Sequence, residues 1–272
     1  MSALLTRLRA ALRRVKQRVA GESRLGWTRR HPFDRLNGTD TSGVVASSAL
    51  PPEEAARVHA VCYAGSQPSV VRRALSSLPG LSTLAFVDLG CGKGRALLVA
   101  AELPFRQIVG VELSEPLARI ARKNAAAMAR RHPRCNMIRV QAGDASTAEW
   151  PSGDLVLFLY HPFGPELVAI VAGRVARALE DPARSVFVVY YNPVAGHCFD
   201  ACPGLSRRSA ETLPYAETEL GFGPDDSDLV VTWQGGPAAA PASRDASARI
   251  AIASGGLRAT LGEPLLGEPL KN

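Results

Sequence analysis

The run Phe86-Val87-Asp88-Leu89-Gly90-Cys91-Gly92-Lys93-Gly94-Arg95 constrains the fold of this chain more than any other stretch. Leu84 to Leu89 is apolar, partly β-branched and of strand length, and Ala96 to Ala101 is a helix-forming apolar run. The glycines between them therefore close a buried strand and open a helix. Open α/β sheets bind ligands at this edge, where residues without side chains let a small molecule approach the backbone and a helix start offers unpaired N–H groups.

Gln107 to Glu112 reads as a second short strand, and its terminal Glu112 lies 22 residues after Gly90. A βαβ unit puts such an acid beside the first loop, where its carboxylate accepts hydrogen bonds from ribose hydroxyls. Spacing alone leaves open a nicotinamide dinucleotide and the adenosine half of S-adenosylmethionine. The loop separates them: the dinucleotide pattern G-x-G-x-x-G begun at Gly90 needs a glycine at 95, where this chain has Arg95.

The pattern Asp88-x-Gly90-x-Gly92-x-Gly94 resembles motif I of the class I S-adenosylmethionine-dependent methyltransferases. Two later stretches match in order. Val140 to Ala145 ends a strand with Asp144, and Asp154 to Phe163 is a strand running into an aromatic, proline-bearing loop. The likeness covers Ser69 to Tyr191. It is narrower still to a poorly characterised bacterial group with the same Asp-Leu-Gly-x-Gly-Lys-Gly-Arg core, preceded by a segment like Phe33 to Gly43.

The resemblance implies a seven-stranded Rossmann-like α/β sheet with helices on both faces and S-adenosylmethionine as cofactor. By the same token Asp88 stands near the methionine ammonium, Glu112 at the ribose and Asp144 at the adenine amino group, with Gly90, Cys91, Gly92 and Gly94 as the cradle. On the acceptor side His161 and Tyr160 are the catalytic candidates, and Pro162, Phe163, Tyr191 and Asn192 those for substrate. The group usually has Tyr-Asn-Pro-Phe in the fourth-strand loop; His161 replaces that asparagine, which weakens any acceptor chemistry inferred from it.

At 272 residues and 46% hydrophobic content the chain can bury a full core, and one α/β domain with terminal extensions fits better than two domains. No apolar run approaches the roughly 20 residues that span a bilayer. Five cysteines without regular spacing do not make a disulfide framework, so a reducing cytoplasm is expected. His197, Cys198 and Cys202 lack a second pair to complete four metal ligands, and no metal is expected.

The net charge of +7 is concentrated at one end. Residues 1–30 hold nine basic residues against Glu22, a net +8, so the remainder sums to −1. Leu4, Leu8, Leu12, Val15 and Val19 recur there at helical spacing. A helix packed on the domain, a patch for an acidic partner, a membrane surface or nucleic acid, and a targeting presequence compete for this segment.

The chain divides into residues 1–30, a pre-core segment 31–68 placed to cover the cofactor, a methyltransferase domain 69–234 and a low-complexity tail 235–272 expected to be mostly disordered. Within the second, 31–50 reads as polar and turn-rich, and Pro51 opens a short helix toward Tyr63. Ser69 to Ser77 reads as a helix, Ser114 as N-cap of a helix from Glu115 to about Arg130, and Leu167 to Leu179 as a sheet-packing helix. Ser185 to Tyr191 is a fifth buried strand, and weaker strands follow near Thr212 to Leu220 and Asp228 to Trp233.

Methyl transfer from a sulfonium is an in-line displacement in which donor charge disperses, so the protein must chiefly align the partners and exclude water. His161 is either a base or a packing residue in the asparagine slot. Tyr160, Phe163, Tyr190 and Tyr191 are acceptor walls or core. Asp40, Thr41 and Ser42 close on the cofactor or form a solvated turn. Lys93 and Arg95 meet the methionine carboxylate, or leave it to the loop N–H groups. The acceptor is unidentified, with a nitrogen nucleophile preferred; the alternatives are a non-catalytic S-adenosylmethionine-binding protein and an NAD(P)-dependent reductase.

Overall fold

The computed structural model describes residues 29–43, 64–160, 163–223 and 225–239, together with the backbone of 250–254 and 257–261. The basic segment up to residue 28 and the helix expected from Pro51 to Tyr63 lie outside the described residues.

Seven strands form one sheet: β1 (Ala85–Leu89), β2 (Gln107–Glu112), β3 (Ile138–Ala142), β4 (Leu155–Tyr160), β5 (Val186–Tyr191), β6 (Ser206–Pro214) and β7 (Ser227–Gly235). Their spatial order is β3-β2-β1-β4-β5-β7-β6. The first five are parallel, and β7 runs antiparallel to both β5 and β6. Parallel strands covered on both faces read as unbroken apolar runs, and β1 and β5 are buried throughout.

The helices are α1 (Pro32–Asn37), α2 (Pro68–Ser76), α3 (Arg95–Ala100), α4 (Glu115–Met128), α5 (Pro165–Ala178) and α6 (His197–Asp200). Val70 and Leu75 of α2, Leu98 of α3 and Met128 of α4 share one core with Phe86, Phe158 and Tyr191. Val168 and Val175 of α5 and Phe199 of α6 share the other with Val87, Leu157 and Tyr190. Successive strand residues point to opposite faces, so Asp88, Tyr160 and Tyr191 stand on the first face and Tyr190 on the second.

Register brings the candidates together. Asp88 lies opposite Gly110 and Phe158, Glu112 opposite Ala142, and Tyr160 opposite Tyr191. The carboxyl ends of β1 to β5 thus form one rim.

Four expectations need correction. The sixth strand is Ser206–Pro214 rather than 212–220; it is an edge strand with polar side chains and a bulge between Arg207 and Ser209, which removes the alternation that would mark it. Residues 31–43, read as turn-rich, contain α1, which is only six residues long and rests on its caps: the His31 ring accepts from Phe33 N and Gly38 takes φ 69°. Ser114 holds the N-cap position of α4 without a side-chain capping bond, and its buried hydroxyl finds no partner. Within the tail, 250–254 and 257–261 pair as an antiparallel two-stranded ladder.

Candidate active site

The loop after β1 turns on three glycines in the left-handed region: Gly90 at φ 78°, Gly92 at 54° and Gly94 at 86°. A Cβ at Gly94 would also stand 3.1 Å from that of Ala121 in α4. Gly90 N and Cys91 N donate to the Val111 carbonyl at 2.9 and 3.0 Å, drawing the loop across the end of β2. Glycine at 110 leaves room beneath it, since a Cβ there would approach Cys91 Sγ to 2.8 Å and Leu97 Cδ1 to 2.6 Å and oblige those side chains to shift.

Glu112 closes this arrangement. One carboxylate oxygen accepts from Gly92 N at 2.7 Å and the other from Ser114 N at 2.9 Å. The residue expected to meet a ribose therefore also holds the loop in shape. Asp88 is buried below the loop, and burial followed by the negative charge of Glu112 pushes its carboxyl well above the usual range. The Cys91 thiol is pushed up by burial and by both acids, which keeps it an unreactive small residue. Asp144 is exposed two residues beyond β3, its carboxylate accepting from Ser146 N at 2.7 Å.

Lys93 and Arg95, candidates for the methionine carboxylate, turn instead to the pre-core segment. Lys93 Nζ donates to the Ser42 carbonyl at 2.7 Å and lies 3.3 Å from Asp40. Arg95 donates to Thr41 Oγ1 at 2.7 Å, to the Thr41 carbonyl at 2.8 Å and to the Ser66 carbonyl at 3.2 Å. Asp34, fully buried, accepts from Thr39 Oγ1 at 2.6 Å and Thr41 Oγ1 at 2.7 Å. Burial raises the Asp34 carboxyl, but hydrogen bonds from Ser42, Thr39 and Thr41 and the charge of Arg95 outweigh it and hold the group below its ordinary value. Asn124 of α4 completes the clasp, donating to the Asp40 and Lys93 carbonyls at 2.9 Å each.

On the acceptor side Tyr160 is half-buried, with its ring centroid 4.4 Å from that of Tyr191. Tyr191 donates its hydroxyl to Asp228 at 2.5 Å, Tyr215 donates to the same oxygen, and Asn192 Nδ2 reaches the other at 2.9 Å. Asn192 has φ 51°, uncommon for a residue with a side chain. Burial, then the charge of Asp228, drives the Tyr191 phenol well above its ordinary range, so it stays a donor.

Tyr191, wholly buried in the core on the Asp88 face, departs from the aromatic-wall reading, and so do Phe163 and Tyr190. The latter two belong to the core under α5 and α6, and the Tyr190 ring meets Phe199 edge-on at 6.1 Å. His161 and Pro162 lie outside the described residues. His197 and Cys198 adjoin at 3.5 Å, while the Cys202 thiol donates to the Ala172 carbonyl at 3.2 Å.

Asp34, Asn124 and Asp228 are the polar centres that motif reading passed over. Asp34 was within reach, as it stands in the Phe33 to Gly43 segment. Nothing in local spacing marks the others.

A seven-stranded sheet in this order, with one reversed strand and a glycine loop after β1, is the Rossmann-like fold of the class I methyltransferases. Residues 86–181 match the profile of a methyltransferase domain family. A 120-residue stretch, 42% of the chain, is 30% identical to a nocamycin O-methyltransferase of Saccharothrix syringae, and spans 41% of that relative's length. Among solved structures, an RNA methyltransferase from Salinibacter ruber in complex with S-adenosyl-L-homocysteine aligns at TM-score 0.41 and 21% identity, over 64% of this chain and 94% of its own. A magnesium protoporphyrin IX methyltransferase from Synechocystis PCC 6803 with bound S-adenosylmethionine aligns at TM-score 0.44 and 13% identity, over 61% and 76%.

Proposed function

We propose that this chain is an S-adenosylmethionine-dependent methyltransferase, with a nitrogen atom of an unidentified acceptor as the nucleophile. The carrying observation is the charge at the glycine loop. Asp88 is buried there and acted on by the charge of Glu112, while Lys93 and Arg95 point away toward Ser42, Asp40 and Thr41. A cationic ligand offsets two carboxylates in a buried site, whereas a dinucleotide pyrophosphate would add negative charge beside them. This favours the sulfonium cofactor over the nicotinamide one.

When bound, S-adenosylmethionine supplies an electrophilic methyl group. The chain's own part is binding and alignment. Asp88 faces the ammonium, Glu112 holds the ribose while fixing Gly92 N and Ser114 N, and the positive-φ glycines keep side chains off the ligand. Tyr160, half-buried on the same face as Asp88 and backed by the buried Tyr191 ring, borders the acceptor and excludes water, and His161, next in sequence, accepts a proton where the nucleophile arrives protonated. The nitrogen preference rests on the resemblance of the fourth-strand loop to the Tyr-Asn-Pro-Phe of amine-directed methyltransferases, from which His161 departs at the asparagine.

Calorimetric titration with S-adenosylhomocysteine tests the reading. Saturable one-to-one binding is expected. No binding by the folded protein, with NAD binding in its place, overturns it in favour of a reductase; binding without methyl transfer into any component of a native lysate favours a non-catalytic binder.

A further inference from the structure

Beyond the basic residues that open the chain, the structure carries a second concentration of positive charge, on α4. Arg119 and Lys123 are exposed one turn apart on α4, and the exposed Arg130 follows two residues past its C-terminal end, with the small residue Ala126 between them. The nine residues of helical rise from Arg119 to Met128 span about 14 Å, and Arg130 extends the row beyond them. The one acid of α4, Glu115, is already bonded to Arg122 at 2.8 Å, and Arg122 also donates to the Val140 carbonyl of β3. From Ala129 to Gly143 there is no acid at all.

At its C-terminal end the row meets α1. Arg35 of α1 and Arg130 and Arg131 line an open cleft of about 480 Å³ between the two helices. Arg131 is oriented by donating to the Leu36 carbonyl, so one guanidinium is preset at the mouth. At the other end α4 begins directly after Ser114, whose N–H meets Glu112 at the rim that carries the cofactor loop.

We propose that this row and cleft bind the phosphodiester backbone of single-stranded nucleic acid. A row of exposed guanidinium and ammonium groups without interleaved acids suits the phosphates of a flexible strand, which adjusts to unequal charge spacing, and arginine pairs phosphate oxygens bidentately. The row has no exposed aromatic side chain for base stacking, so recognition is through charge and independent of sequence. Docking here lays the strand along a path that leads to the rim. The surface stands on its own charges, whatever the acceptor of the methyl group.

The test is fluorescence anisotropy with a labelled 20-nucleotide RNA and its DNA counterpart, using the full chain and the triple variant R119E/K123E/R130E from 50 to 200 mM salt. S-adenosylhomocysteine binding measured on both proteins reads the proposed activity separately and reports that the fold is retained. If charge reversal disturbs folding, R119Q/K123Q/R130Q replaces it. The wild-type chain is expected to bind with steep salt dependence, and loss of three phosphate contacts makes the slope of log K against log salt shallower by about 2. Absence of strand binding overturns the proposal, as does an unchanged slope in the variants, which assigns the binding to residues 1–30. Binding only to phosphatidylserine-containing vesicles overturns it in favour of a membrane surface.

Discussion

Arg95 Nη2 lies 3.9 Å from Asp34 Oδ2, and both side chains are buried, so the helix that follows the glycine loop is locked by an ion pair to the segment that precedes the domain. The Thr41 hydroxyl stands between them, accepting from Arg95 and donating to Asp34. Breaking a buried pair by removing one partner leaves an uncompensated charge. Arg95→Ala and Asp34→Ala are each expected to lower stability by about 3–5 kcal/mol in urea titrations, and the double variant to cost less than their sum. Additive losses would mean the two groups are not coupled.

With Asp88 in the proposed cofactor site, cofactor affinity is expected to depend on pH. The folded-state pKa of Asp88 is raised by burial and by Glu112, so the ligand-free protein holds a proton there that the unfolded chain releases, and stability falls as pH climbs from the ordinary carboxylate value to the raised one. A cation in the site favours the ionised form. Binding of S-adenosylmethionine is therefore expected to strengthen with pH across that window and to release protons, seen as a buffer-dependent calorimetric enthalpy. Asp88→Asn should abolish the proton release, and a buffer-independent enthalpy in the wild type would contradict the assignment.

Glu112→Ala is expected to weaken S-adenosylhomocysteine binding by about 1.5–3 kcal/mol, because it removes charged hydrogen-bond acceptors from both the ligand and the loop. Glu112→Gln replaces one carboxylate oxygen by a donor, which suits only one of Gly92 N and Ser114 N. An intermediate loss follows. Equal affinity for all three proteins would remove Glu112 from the site.

His31 gives the clasp an acid limit. Burial, then the charge of Arg95, lowers its pKa to about 4, and the ring bonds Gln67 at 3.0 Å and Phe33 N at 3.1 Å. A histidine held neutral contributes stability that is complete above about pH 6.5 and disappears as pH falls toward 4, here about 3 kcal/mol in all. Urea midpoints at pH 7 and pH 4.5 should differ less for His31→Gln than for the wild type. Parallel midpoints would exclude this role.

Gly110→Ala tests the packing under the loop. The added methyl meets Leu97 Cδ1 and Cys91 Sγ at less than van der Waals distance. Overpacking is expected to cost about 1–3 kcal/mol in thermal melts and to weaken S-adenosylhomocysteine binding by displacing Cys91. A wild-type melting temperature would show that the loop yields freely.

Much of the fold was legible because its signals are local. β2 runs from Gln107 to Glu112 as its apolar run predicts, and β1, β4 and β5 fall within a residue of the expected starts. Buried parallel strands bounded by glycine or helix starts carry their own limits. The edge strand β6 did not, since its polar residues answer to partners outside the strand: Arg207 to Asp200 of α6 and Arg208 to Gln234 of β7.

For the site the division runs between position and partner. The sequence by itself determined that Asp88, the three glycines and Glu112 stand at strand ends on one rim, because strand length, alternation and glycine's conformational range act over a few residues. Only the tertiary structure decided what those neighbourhoods contain. Lys93 and Arg95 stand inside the motif yet face Ser42 and Thr41, about fifty positions away in the chain. Asp228 gathers Tyr191 and Asn192 from the end of β5 and Tyr215 from beyond β6. A buried charge takes whichever donors the packed chain brings within reach, and that choice is made by the fold as a whole.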